Sequence, residues 1–167
     1  NLFGAAPSGR GLAEWQNALQ GLAASTRLGI PVTISTDPRH SFSENPGAAI
    51  LAGAFSQWPE TMGLAAIRDE ALVEEFANIA RQEYVSVGIR VALHPQIDLA
   101  TEPRWARQLS TFGEDAELTA RLGAAYIRGF QGNTLGGQSV ATMIKHFPGG
   151  GPQKDGEDPH FAYGREQ

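Results

Sequence analysis

Three stretches of the chain repeat apolar residues at helical spacing. Across residues 12–25, Leu12, Trp15, Leu19 and Leu22 recur at intervals of 3, 4 and 3, which puts them on one face of an amphipathic helix. Across residues 69–86 the stripe is Leu72, Phe76 and Ile79. Asp69 suits the N-cap of that helix, because its carboxylate can accept from first-turn amides, and Gly88 stands where such a helix stops. The third stretch covers residues 115–131, with Leu118, Leu122, Ala125 and Tyr126 on one side. Thr111, three residues before Glu114, reads as a capping box at its start.

Three other stretches are short, rich in β-branched and apolar residues, and bounded by Gly or Pro. They are residues 31–36 (PVTIST), 89–97 (IRVALHPQI) and 140–147 (VATMIKHF), and they read as buried strands. Pro95 has no amide to donate, so the second strand is expected to end or bulge near it. Leu2-Phe3 reads as the clipped end of a further strand. Strand and helix therefore alternate along the chain. This predicts βαβ units and a parallel sheet, either doubly wound or a (β/α)8 barrel. The segments after the strands, residues 37–68, 98–114 and 148–167, are long and hold most of the polar, Gly and Pro residues. Parallel α/β folds carry their sites at these C-terminal strand ends.

Composition narrows the classes. A chain of 167 residues that is 41% hydrophobic can build a real core. The net charge of −5, with no basic stripe, argues against a nucleic-acid binder. No apolar run approaches the ~20 residues of a membrane helix, and no signal peptide opens the chain. With no cysteine, disulfides, thiolate metal sites and cysteine nucleophiles are excluded. The 20 Gly and 10 Pro are an excess that falls in the site loops. The chain opens without Met and closes on Gly164-Arg165-Glu166-Gln167, and is expected to be a piece of a longer protein.

The strand ends concentrate chemistry. The first runs into Asp37-Pro38-Arg39-His40. The second runs into Asp98 and then Glu102-Pro103-Arg104-Trp105-Ala106-Arg107. The third ends in Lys145-His146-Phe147 and a glycine run, Gly149-Gly150-Gly151. Acids, bases and an aromatic on one rim form a layout for a hydroxyl-rich ligand, since Asp accepts from hydroxyls while Arg and Lys donate to them. Plainer roles compete. Asp37 before Pro38 reads equally as a turn start. Arg104 and Arg107 read on pattern as surface charges paired with Glu102 or Glu114. Lys145 and His146 are costly to bury unless paired, and neighbours in a strand face opposite sides unless the strand ends there. His94 and His160 read as structural histidines, and Trp15, Trp58 and Trp105 as packing residues. The glycine run is not followed by Gly-Lys-Ser/Thr, and no Gly-x-Ser-x-Gly occurs. No metal-ligand spacing links His94, Asp98, His146 and His160, so metal binding ranks below sugar binding.

The segments IPVTISTDPRH, GIRVALHPQIDLATEPRWAR, STFGEDAELTARLGAAYIRGFQG and VATMIKHFPGGG resemble glycoside hydrolase family 3 in order and spacing. That family includes β-glucosidases, β-xylosidases and exo-β-glucanases. The resemblance implies an α/β fold, a partial (β/α)8 TIM-type barrel, with residues 1–167 as about its first half. It implies a retaining β-glycosidase, foremost a β-glucosidase or exo-β-glucanase, with β-linked glucosides or oligosaccharides as partners and no cofactor. By similarity Asp37, Arg107, Lys145 and His146 hold the sugar in the −1 subsite, His40 supports the first loop, and Arg104 stands at a position that varies. Glu102, Ala106 and the Pro38-Arg39 pair depart from the usual motifs without removing those side chains. The family nucleophile, an Asp in a Ser-Asp-Trp-type motif on a later strand, is absent, so the segment alone is expected to be inactive. An alternative is a β-N-acetylhexosaminidase-like member using Asp158 and His160 as an acid/base dyad, although Gly150 replaces the His of Pro-Gly-His-Gly. A non-catalytic sugar-binding module is a further alternative. A sugar-phosphate isomerase or aldolase on the same barrel ranks lower for want of a phosphate loop. A homodimer and a periplasmic or secreted location are left open.

Overall fold

The computed structural model describes residues 2, 4–5, 8–37, 40–41, 53, 55–147 and 149–160. Ser8 is extended, and its hydroxyl accepts from Gly11 N to open α1 (Gly9–Ala24). The buried face of α1 is Leu12, Gln16 and Ala23. Trp15 and Leu22 are 48% and 67% exposed, so the helix sits rotated from the stripe the spacing predicts. Its anchor is a backbone approach: Gly88, at φ +82°, comes so close that a Cβ there would lie 2.4 Å from Gln16 Cγ. Gln16 Nε2 donates to the Gly88 carbonyl at 3.3 Å.

The strands are shorter than the apolar runs. β1 (Ile34–Thr36) starts three residues late, because Gln20 takes the place of a ladder at Val32. Gln20 Nε2 donates to Val32 O at 2.7 Å, and Val32 N donates to Gln20 Oε1 at 3.0 Å. β2 (Ile89–Ala92) stops before Pro95, in line with the missing donor. β3 is Ala141–Thr142 alone. The three pair in parallel in the order β1-β2-β3. Leu2 adds a parallel bridge to Thr36 beside β1, with Leu2 N donating to Ser35 O at 2.7 Å. Phe3 of that expected strand end lies outside the described residues.

Two helices cover the sheet. Asp69 caps α3 (Glu70–Ser86) through Ala71 N and Leu72 N, and the chain leaves that helix through Val87 and Gly88. The buried face of α3 is Val73, Phe76, Ala77, Ala80 and Tyr84. Leu72 and Ile79 are only half-buried. α4 (Ala116–Gln131) buries Leu118, Leu122, Ala125 and Tyr126 as the spacing predicts, together with Thr119, Gly123, Gly129 and Phe130. The expected capping box does not form. Asp115 is the cap, accepting from Glu117 N and Leu118 N. Thr111 instead donates to Gln108 O and accepts from Gly113 N, closing the turn after residues 108–110. A short helix, α2 (Thr61–Ile67), lies inside the segment read as loop. It has no side-chain cap and ends at Arg68 with φ 59°, and seven residues are too few to show a helical period.

The core is aromatic. Phe76, Tyr84, Tyr126 and Phe130 pack with Ile89 and Val140, all nearly fully buried. Tyr126 and Phe130 stack at 5.0 Å. No helix among the described residues is long and apolar enough to cross a membrane.

Candidate functional site

The site is built on the residues that leave β2. His94, Gln96 and Asp98 alternate along an extended segment and are all buried. Each holds a different part of the structure. His94 is a core histidine: its Nε2 lies 3.1 Å from Tyr84 Oη on α3, and its Nδ1 lies 2.6 Å from Tyr126 Oη on α4. Gln96 Oε1 accepts from Arg107 Nη2 at 3.0 Å. Asp98 takes His146. Past Pro95 the ladder resumes as a single parallel bridge between Gln96 and Lys145. Ile97 N donates to Lys145 O at 2.8 Å, and Lys145 N donates to Pro95 O at 3.1 Å. The 145–146 segment is thereby pinned to the exit of β2.

Because β3 has already ended, Lys145 and His146 are free of strand alternation. Both meet a carboxylate. Lys145 Nζ donates to Asp37 Oδ2, joining residues at the ends of β1 and β3. Asp37 Oδ1 is buried and has no hydrogen-bond partner among the described residues. His146 Nδ1 lies 2.6 Å from Asp98 Oδ2, and Asp98 Oδ1 accepts from His146 N at 3.2 Å and Gly150 N at 2.7 Å. The Lys145–His146 peptide bond is cis. Pro38, Arg39 and Pro148 lie outside the described residues.

Arg107 reaches the same cluster. Beyond Gln96, its Nη1 lies 3.4 Å from His160 Nδ1. The His160 ring sits edge-on to His146 with centroids 5.6 Å apart. His160 Nδ1 is 2.5 Å from Asp158 Oδ1, and His160 N donates to the same oxygen at 3.0 Å. Trp105, which is fully buried, donates from Nε1 to Asp158 Oδ2 at 2.8 Å. Burial alone would raise the Asp158 pKa, but hydrogen bonds from His160 and Trp105 outweigh it and hold the carboxyl below its ordinary value. Asp158 and His160 are thus brought to Arg107 and His146. Arg104 is not. Its guanidinium is taken up by Glu102, at 3.0 and 2.6 Å, and by Asp155 at 3.3 Å. Arg104 in turn holds the Glu102 carboxyl down to about 2.

His40 is fully buried. Its Nε2 lies 2.9 Å from Glu83 Oε2 on α3, and its ring centroid is 5.1 Å from those of Phe55 and Tyr84. Its carbonyl accepts from Trp58 N at 2.6 Å. This fastens the chain just beyond Asp37 to the core. For Glu83, burial raises the pKa, but the adjacent His40 and the hydrogen bond from Ser56 N more than offset it and leave the carboxyl lowered. A lowered folded-state pKa gives stability that is present above the unfolded value and is lost as pH falls through the folded value. Glu83→Gln is therefore expected to cost about 2 kcal/mol at neutral pH, the scale of hydrogen bonds to a charged group. It should also flatten the fall in stability below about pH 5. Denaturant melts of both forms at pH 7 and pH 4 check this, and parallel pH curves would contradict it.

Asp98, Gln96 and Glu83 are the positioning groups that sequence reasoning missed. Asp98 was read as one acid of the strand-exit rim and as one of four groups weighed for a metal, without a partner or role of its own. No helical or strand period marks Gln96 or Glu83, and Glu83 takes its donor from Ser56, 27 positions away.

A family model described as glycosyl hydrolase family 3 N terminal domain matches residues 6–164. The chain belongs to glycosyl hydrolase family 3. It is 63% identical over 155 residues to a probable beta-glucosidase C of Aspergillus flavus, covering 93% of this chain and 24% of that protein. It is 56% identical over 156 residues to a periplasmic beta-glucosidase/beta-xylosidase of Dickeya chrysanthemi, covering 92% and 24%. Among solved structures, a β-glucosidase from Erythrobacter marinus superposes with a TM-score of 0.78 at 28% identity, over 90% of this chain and 20% of that one. The chain thus spans about a quarter of the length of these curated family 3 relatives.

Proposed function

We propose that this chain is about the first half of the (β/α)8 barrel of a retaining β-glucosidase, and that it supplies the clamp for the sugar in the −1 subsite. One observation supports the reading: the Asp37–Lys145 pair at the C-terminal ends of two parallel strands, with Asp37 Oδ1 buried and without a hydrogen-bond partner among the described residues. A buried carboxylate oxygen without a donor is costly unless a ligand supplies one, and a sugar hydroxyl does. Lys145 and Arg107 donate to hydroxyl oxygens on the same rim. His146, held by Asp98, completes the set.

Retaining hydrolysis needs a nucleophile and an acid/base about 5 Å apart. Asp37 and Asp98 each already hold a basic partner, which suits binding and positioning better than attack on an anomeric carbon. The nucleophile and acid/base are therefore assigned to the remainder of the protein. Exposed apolar side chains beyond β3, among them Met143 and the 86% exposed Phe147, fit a sheet that continues into further strands. The β-glucosidase names of relatives at 56% and 63% identity favour glucosides over the N-acetylhexosaminide alternative, even though Asp158 and His160 do form a bonded pair.

Turnover of aryl β-D-glucoside and aryl N-acetyl-β-D-glucosaminide by the complete protein tests this. The glucoside should be preferred by about 100-fold or more in kcat/KM, the discrimination a pocket shaped around one ring substituent achieves. β-Glucose should be the first anomer released. Preference for the N-acetyl substrate would contradict the reading, as would α-glucose appearing first.

A further inference from the structure

We propose that Asp98 is a positioning residue that fixes the proton of His146 on Nδ1 and leaves Nε2 as the atom presented to the sugar. The proposal rests on His146 lining the −1 subsite.

The Asp98 side chain is fully buried, and an ionised carboxylate can only accept. Its two oxygens take three donors. Oδ1 receives His146 N and Gly150 N, and Oδ2 faces His146 Nδ1 at 2.6 Å. Nδ1 must therefore carry hydrogen whether the ring is neutral or charged. In the neutral ring the lone pair then sits on Nε2. That atom has no partner among the described residues, while the side chain is about a third exposed. His160 packs edge-on against the ring, and Lys145 is turned away toward Asp37.

The same carboxylate sets the orientation of the ring. A Cβ on Gly150 would stand 2.7 Å from His146 Cβ and 3.2 Å from Nδ1, so the glycine backbone is folded directly over the imidazole. Asp98 holds both sides of this contact. The result is an acceptor nitrogen of fixed direction, on the rim that also carries Lys145 and, through His160, Arg107. A sugar hydroxyl, which both donates and accepts, requires this pairing of an acceptor with a donor.

Asp98→Asn changes the prediction in one place. If the amide oxygen keeps the two backbone donors, the amide NH2 faces Nδ1. Nδ1 must then accept, and the proton moves to Nε2. A role confined to packing would leave the tautomer unchanged. The test is nitrogen NMR of the complete protein labelled at histidine, with the His146 signals identified by their loss in His146→Gln. The wild type should show hydrogen on Nδ1. Asp98→Asn should show a neutral ring with hydrogen on Nε2, and kcat/KM for an aryl β-glucoside should fall about 10- to 100-fold, the usual scale for losing an orienting partner. Hydrogen on Nε2 alone in the wild type would overturn the proposal without any variant having to fold. So would an Asp98→Asn protein with unchanged tautomer and unchanged kcat/KM. The NMR readout needs no turnover, so a protein inactive on β-glucosides but carrying hydrogen on Nδ1 would sink the glucosidase reading and leave the Asp98 assignment standing.

Discussion

Replacing Lys145 with alanine lowers kcat/KM for aryl β-glucosides by about 10²- to 10³-fold in the complete protein, the loss expected when one preorganised charged donor is removed from a transition state. The fold should survive, because the Lys145 backbone remains tied to Pro95 and Ile97 and the ammonium is not part of the hydrophobic core. Asp37→Ala should lose activity on the same scale, since the ring then has no buried acceptor at this edge. The two effects should not add. The side chains hold one another, and each is misplaced when the other is gone. Steady-state kinetics with a thermal melt on each variant separates the cases. Unchanged kinetics would remove the clamp, and a collapsed melt would show that the pair is structural.

Gly129→Ala should destabilise the fold by about 1–3 kcal/mol, the usual cost of overpacking. Gly129 is where α4 meets α3. A Cβ there would stand 2.4 Å from Glu74 O, 2.5 Å from Ala77 Cβ and 2.9 Å from Asn78 N. Two of these are backbone atoms and cannot rotate away, so the helices must separate. Gly136, with nothing within 4 Å of such a Cβ, serves as the control. Its alanine variant should stay within about 0.5 kcal/mol of wild type, as surface changes usually do. Equal denaturant midpoints for both variants would contradict the packing account.

What could be read in advance differs by element for physical reasons. α4 was legible almost residue by residue, because its apolar positions are those that meet the core. α1 was not, since its register is set by a backbone approach at Gly88 that no side-chain period records. The strands were overestimated because an apolar run fixes neither burial nor ladder bounds: Val32, Met143 and Ile144 are exposed, and Gln20 at Val32 and Pro95 decide where ladders begin and end. Position and residue type flagged acids and bases at the strand exits, but on pattern Asp37 read equally as a turn start and Arg107 as a surface charge, and only the resemblance to family 3 set Asp37, Arg107, Lys145 and His146 apart. Their pairings could not be read in advance. Asp37 meets Lys145 across 108 positions of sequence and Asp98 meets His146 across 48, and no local pattern encodes such contacts. They follow from parallel strands setting chain-distant exits side by side.

The clamp is tested most directly by kcat/KM of the complete protein and its Asp37→Ala variant on an aryl β-glucoside and its monodeoxy analogues. If Asp37 Oδ1 accepts from a sugar hydroxyl, wild type should lose about 10- to 100-fold or more on the analogue lacking that hydroxyl, since a buried acceptor is left unpaired. The Asp37→Ala variant should lose almost nothing further on the same analogue. Equal penalties in both proteins for every deoxy position would show that Asp37 does not hold the sugar.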